Sequence, residues 1–113
     1  MNSLKKDLAR FAEERDWKKY HSPKNLAMGL SIEASELLEI FLWMKDEESY
    51  FLDAKKLKNL KEEIGDVMIY LTNISSKFDL DPIECAKEKM ELNENKYPAI
   101  IVKGSSKKYT EYI

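Results

Sequence analysis

Four carboxylates set inside two apolar helical stripes constrain this chain more than any other feature. Glu33-Ala-Ser-Glu36 and Glu63-Ile-Gly-Asp66 each pair two acids three residues apart. On a helix that spacing brings both to one side. At about 100° per residue, Glu33 falls among Leu26, Leu30, Leu37, Ile40 and Met44, with Glu36 at the edge of the stripe. Glu63 stands in the same relation to Leu60, Val67, Tyr70, Leu71 and Ile74, with Asp66 at the edge. A buried, unpaired carboxylate costs several kcal/mol, so four that converge call for a cation. An oxygen-only set of this kind suits Mg²⁺ or Mn²⁺ and the phosphates that such ions carry.

The rest of the chain reads as a frame for those two notches. With 113 residues it has room for one core and not for two. Only three Gly and three Pro punctuate it, which disfavours an all-β fold and favours an all-α one. Ser3 is placed to cap a first helix through Leu4, Leu8 and Phe11, ending near Asp16–Tyr20. Ser22-Pro23 reads as an N-cap followed by proline at the first helical position, opening a second helix to about Met44. After a charged connection, Asp53 is placed to cap a third helix to about Lys77. Asp81-Pro82-Ile83-Glu84 combines a cap, a proline and a capping-box acid, and starts a fourth helix to about Lys96 that Pro98 stops. The domain so defined is 1–98, a four-helix, bundle-like unit, and 99–113 is a tail. Helices two and three echo each other. Glu33-x-x-Glu36-Leu-Leu-x-Ile and Glu63-x-x-Asp66-Val-Met-x-Tyr carry acids and apolar residues in one phase, the arrangement from which helical bundles build metal sites on facing helices.

Composition removes several alternatives. The net charge of −2 offers no basic excess for nucleic acid. No uncharged stretch approaches membrane-spanning length, and the N-terminal residues lack the apolar run of a signal peptide. Lone Cys85 has no internal disulfide partner, so a reducing, cytoplasmic setting is expected. The one histidine, His21, rules out His-rich zinc sites and a di-iron bundle with paired Glu-x-x-His motifs. No nucleophile elbow or glycine-rich phosphate loop is present.

Side chains suited to a nucleotide surround the acids. Trp43 lies about 20° from Glu36 around its helix, and Tyr70 follows Asp66 by one turn, so both are placed to line the acidic cavity and stack a base. Trp17 is a third aromatic of interest. Lys89, Asn93 and Lys96 share one face of the fourth helix. Lys55, Lys56, Lys58 and Lys61 point all round the third, as a wet surface does. Of these, only Lys56 shares the apolar stripe. Glu39 and Glu62 lie toward the polar side of their helices and read as surface groups or supports for the ligating acids.

These residues carry a family resemblance. Phe11-Ala-Glu-Glu-Arg-Asp-Trp17, His21-x-Pro23-x-Asn25-Leu26 and Glu33-x-x-Glu36-Leu-x-Glu39-x-Phe-x-Trp43 resemble the MazG-like nucleotide pyrophosphohydrolases, above all their dCTP pyrophosphatase branch. The likeness continues through Glu62-Glu63-x-x-Asp66-Val-x-x-Tyr70-Leu71, Lys89-Met-x-x-Asn93-x-x-Lys96-Tyr97-Pro98 and the tail Gly104-Ser-Ser-Lys-Lys-Tyr109-Thr-Glu111. It implies an all-α fold and Mg²⁺-dependent hydrolysis of a nucleoside triphosphate to monophosphate and pyrophosphate. It implies metal binding by Glu33, Glu36, Glu63 and Asp66. Substrate is implied among Trp17 to His21, Trp43 and Tyr70, with Lys89 and Asn93 near the phosphates. A homodimer or a dimer of dimers is implied as well, with sites shared between subunits. Leu8 departs from the branch, which carries a substrate-contacting histidine there. Lys96 replaces an arginine, keeping the charge and losing bidentate phosphate contact.

The expected function is pyrophosphohydrolysis of a pyrimidine deoxynucleotide such as dCTP, a housecleaning of the nucleotide pool, with Glu36 as the carboxylate that orients or deprotonates water. Two rivals use the same helices. One is a metal or nucleotide sensor without turnover; the other is a structural dimerisation module whose acids pair with lysines.

Overall fold

The computed structural model of the chain describes residues 2–97. The expected tail of 99–113 and the helix stop at Pro98 lie outside the described residues. All regular structure among the described residues is helical: α1 (Asn2–Glu14), α2 (Pro23–Phe41), α3 (Ala54–Ser76) and α4 (Pro82–Lys96), with short 3₁₀ turns at Lys18–Tyr20 and Asp46–Tyr50. None of these helices is long and apolar enough to cross a membrane.

Three of the four starts follow from local side-chain chemistry. Ser22 Oγ accepts the Asn25 N–H at 3.1 Å and Pro23 opens α2. Asp53 Oδ1 accepts the Lys56 N–H, and Asp81 Oδ1 accepts the Ile83 N–H, both at 2.8 Å. Each satisfies an N–H that the first turn leaves without an intrahelical partner. Ser3 does not cap α1: the helix already begins at Asn2, and Ser3 lies within its first turn. α2 stops at Phe41 rather than near Met44, because Met44 N–H bonds Phe41 O at 2.9 Å and tightens the exit into a turn.

The ends of α1 and α3 share a device that periodicity does not reveal. Asp16 and Asp79 adopt left-handed backbone, at φ 56° and 53°. Beyond α1, Trp17 N–H reaches Ala12 O at 2.9 Å and Asp16 N–H reaches Glu13 O at 3.1 Å. Beyond α3, Leu80 N–H reaches Ser75 O at 3.0 Å and Asp79 N–H reaches Ser76 O. Both are Schellman closures with aspartate where glycine is usual. The first ends α1 at Glu14, sooner than the sequence suggests, and carries the chain into the Trp17–His21 segment.

α2 and α3 form the central pair, with α1 laid on α3 and α4 touching the end of α3. Leu26 and Tyr70 line one cavity, Glu33 faces Glu63, and Ile40 lines a second cavity with Asn59. The pair is therefore antiparallel. Gly29 lets it close: a Cβ there would stand 2.7 Å from Tyr70 Cζ, so the ring occupies the space that any side chain would fill.

Among the described residues only Ala12, Leu26 and Thr72 are buried. The two predicted stripes are otherwise half-buried, while Met28, Ile32, Leu38, Ile64 and Met68 project from other faces into solvent. The radius of gyration is 17.8 Å, against about 13 Å for a compact domain of this size.

Candidate metal centre and nucleotide site

The antiparallel pairing of α2 and α3 brings the two acidic notches together. One carboxylate oxygen each from Glu33, Glu36 and Glu63 lies within 4.8 Å of the others. Glu33 Oε2 and Glu63 Oε2 are buried with no hydrogen-bond partner, and both residues are half-buried overall. Such oxygens fit a hard divalent cation, which their geometry leaves room to serve. Asp66 is half-buried close by and its charge acts on both glutamates, although it falls outside the three-oxygen cluster. Among the described residues no ion pair involves Glu33, Glu36, Glu63 or Asp66.

The electrostatics follow from the crowding. Glu63 in hydrogen-bonding range, then burial, then the charges of Glu36 and Asp66 push the Glu33 carboxyl up to about 7. Glu63 is also raised on balance: sharing a proton with Glu33 pulls it down, but burial and the charges of Glu36 and Asp66 outweigh that. Carboxylates crowded in this way are costly to ionise together, and a bound cation would offset that cost.

A cavity of about 420 Å³ opens beside these acids. Glu36, Glu39, Glu62 and Glu63 line it together with Lys56 and Asn59. The sequence reading set Glu39 and Glu62 on the polar side of their helices. They are indeed exposed, yet the exposed flank is the mouth of this cavity. Asn59 was not singled out from sequence. Its place four residues before Glu63 was the available signal.

A second cavity lies further along α3. Trp17, Tyr20, His21 and Tyr70 line a cavity of about 300 Å³ with Asn25 and Leu26. Asn25 Nδ2 donates to Tyr20 O at 3.1 Å and ties the loop to the first turn of α2. Trp17 packs edge-on against Phe11 at 5.5 Å, and Arg15 covers the same Phe11 ring at 3.7 Å. His21 is half-buried; burial first, and the Lys77 charge second, push it below its ordinary value, so it stays neutral near pH 7. Leu8 lines an adjoining cavity that His21 shares.

Not all of the expected substrate residues gather here. Trp43 follows the end of α2, is 91% exposed and lines neither cavity. Its phase beside Glu36 does not bring it into either cavity. Lys89 and Asn93 are exposed on α4 and likewise line neither.

With the paired notches facing each other, the sequence relationships are decisive. Residues 29–112 match the MazG-like family. The chain belongs to that family. It is 39% identical over 105 residues to dCTP pyrophosphatase 1 of Homo sapiens and 38% identical to that of Mus musculus. These matches cover 91% of this MazG-like chain and 62% of each relative, so it spans well under the full length of either. The fold also matches the crystal structure of a pyrophosphatase from Archaeoglobus fulgidus DSM 4304, with a TM-score of 0.81 and 45% identity over 87% of this chain and 92% of that one.

Proposed function

We propose that this chain is a divalent-metal-dependent nucleoside triphosphate pyrophosphohydrolase acting on dCTP or a related pyrimidine deoxynucleotide. The observation that carries the reading is the pair of buried, unpartnered oxygens on Glu33 and Glu63, facing one another beside Glu36. Glu33, Glu36, Glu63 and Asp66 would hold the metal, with Mg²⁺ or Mn²⁺ fitting their oxygen-only donors. Once bound, it supplies charge neutralisation for the triphosphate and for the transition state. Glu36, exposed at the cavity, would take a proton from water as the water oxygen attacks the α-phosphorus. The bond from that phosphorus to the bridging oxygen breaks, and pyrophosphate departs. The names and likeness of the pyrophosphatase relatives support the same reaction.

The aromatic cavity would take the nucleoside, with Trp17 and Tyr70 supplying flat apolar surface and neutral His21 a polar contact. Leu8 in place of a histidine donor favours looser discrimination among pyrimidines. In a panel of natural and 5-substituted dNTPs, monophosphate and pyrophosphate are expected in equal amounts, from pyrimidines in preference to purines, and only with Mg²⁺ or Mn²⁺. Equal cleavage of dATP and dCTP would overturn the pyrimidine assignment. Binding without pyrophosphate release would establish the sensor instead.

Gly29→Ala tests the cavity without touching an acid. The new Cβ displaces the Tyr70 ring, so KM for the preferred dNTP should rise several-fold while kcat changes little. A fall in kcat at constant KM would place Tyr70 outside the nucleoside site.

A homo-oligomer, a dimer or a dimer of dimers, is the assembly that this reading requires. Three buried residues among those described make a meagre core, and Ile32, Leu38, Ile64 and Met68 are left exposed on the central pair. Trp43, Lys89 and Asn93 would then act across subunits. The exposed thiol of Cys85 suits a reducing cytoplasm.

A further inference from the structure

The direction of a bound triphosphate along α3 follows from where the two cavities lie, and it gives Lys56 a role. Tyr70, in the aromatic cavity, is seven residues after Glu63; Lys56, in the acidic cavity, is seven residues before it. At 1.5 Å per residue each separation is about 10 Å along the helix axis. All three lie on one uninterrupted helix and, at seven-residue spacing, on nearly one line along its surface. A nucleotide with its base beside Tyr70 and its α-phosphorus beside Glu63 therefore sends its β- and γ-phosphates toward Lys56.

Among the described residues, Lys56 is the one cationic side chain lining a cavity that also carries four glutamates. Even so, among the described residues it forms no ion pair. Helical side chains lean toward the helix N-terminus, which carries this ammonium away from Glu63. Its charge is left facing the end of the cavity where the terminal phosphates would arrive. We propose that Lys56 binds the β- and γ-phosphates of the substrate and holds the departing pyrophosphate, acting as a positioning residue at the leaving-group end of the site. This rests on the pyrophosphohydrolase reading above. Lys56 was readable from sequence only as the sole lysine of α3 within the stripe; its place at the cavity end is a tertiary fact.

The test compares Lys56→Ala and Lys56→Arg with the unmodified full chain in saturating Mg²⁺. Inorganic pyrophosphate and dCMP serve as product inhibitors, and pyrophosphate binding to the Mg²⁺-loaded protein is also followed by calorimetry. Loss of one charge-assisted phosphate contact should raise KM and weaken pyrophosphate binding by about tenfold in Lys56→Ala. Inhibition by dCMP should be unchanged, and Lys56→Arg should restore most of the pyrophosphate affinity. The Asp53 cap on the Lys56 N–H survives either substitution, so melting temperature serves as the control for folding. The proposal is overturned if pyrophosphate affinity is unchanged in Lys56→Ala, if dCMP and pyrophosphate weaken together, or if the loss is explained by weaker Mg²⁺ binding alone. Calorimetry separates the two readings: if the unmodified chain binds pyrophosphate without hydrolysing any dNTP, the reaction assignment fails while the Lys56 comparison is still decided.

Discussion

Glu63→Gln is expected to lower turnover by about 10²–10³-fold while the helices and the melting temperature of the metal-free protein are kept or improved. The amide preserves the shape of the side chain but removes a negative charge from a buried oxygen that has no other partner. A metal's electrostatic contribution to phosphoryl transfer is worth several kcal/mol, and each 1.36 kcal/mol is tenfold in rate. The amide can still hydrogen-bond Glu33, the contact through which Glu63 acts on it, and it takes one charge out of a crowded set, so stability should not fall with activity. Glu39→Gln, at the mouth of the same cavity, should cost about tenfold or less, as a support rather than a ligand would. Steady-state kinetics on both variants, with circular dichroism as the folding control, make the comparison. Equal losses would mean that Glu39 ligates as Glu63 does.

The second large effect is on stability. In the absence of metal, the folded state holds the Glu33 proton up to about pH 7, whereas the unfolded chain releases it near the ordinary value of 4.5. Between these values the folded protein binds more protons than the unfolded one, so its stability falls as pH rises. The contribution is whole below pH 4.5 and is lost as pH climbs through 7. Glu63, also raised, adds in the same direction. Mg²⁺ bound by the folded state after that proton leaves would stabilise it most above pH 7, by about 2.7 kcal/mol at a hundredfold excess over its dissociation constant. For a chain of this size that is about 10 °C or more in Tm. Thermal melts from pH 5 to 8.5, in chelator and in millimolar Mg²⁺ at one protein concentration, read both slopes. A metal-free Tm that rises across this range, or curves that coincide with and without Mg²⁺, would contradict a shared carboxylate site.

The particular residues show which features a linear chain can carry. The caps at Ser22, Asp53 and Asp81 were legible because a cap is a bond between a side chain and a backbone N–H two or three residues away. The phase of Glu33 and Glu63 within their stripes was legible because a regular helix turns by a constant angle. Their meeting was foreshadowed by the echo between the two segments, and the motif likeness pointed to the MazG-like family. The helix ends were less legible: Asp16 and Asp79 close α1 and α3 in a conformation that glycine would have advertised.

Cross-helix placement was decided by tertiary structure alone. The antiparallel register of α2 against α3 sets three carboxylate oxygens within 4.8 Å of each other and leaves Asp66 outside that cluster. It turns the exposed flanks bearing Glu39 and Glu62 into a cavity wall, with Lys56 and Asn59 across from α2. Trp43, just beyond the end of α2, stays exposed and lines neither cavity. The physical reason is the same in each case. Periodicity assigns a side chain to a face of its own helix, but what that face meets depends on the offset and rotation of the neighbouring helix, which packing fixes and no single segment encodes.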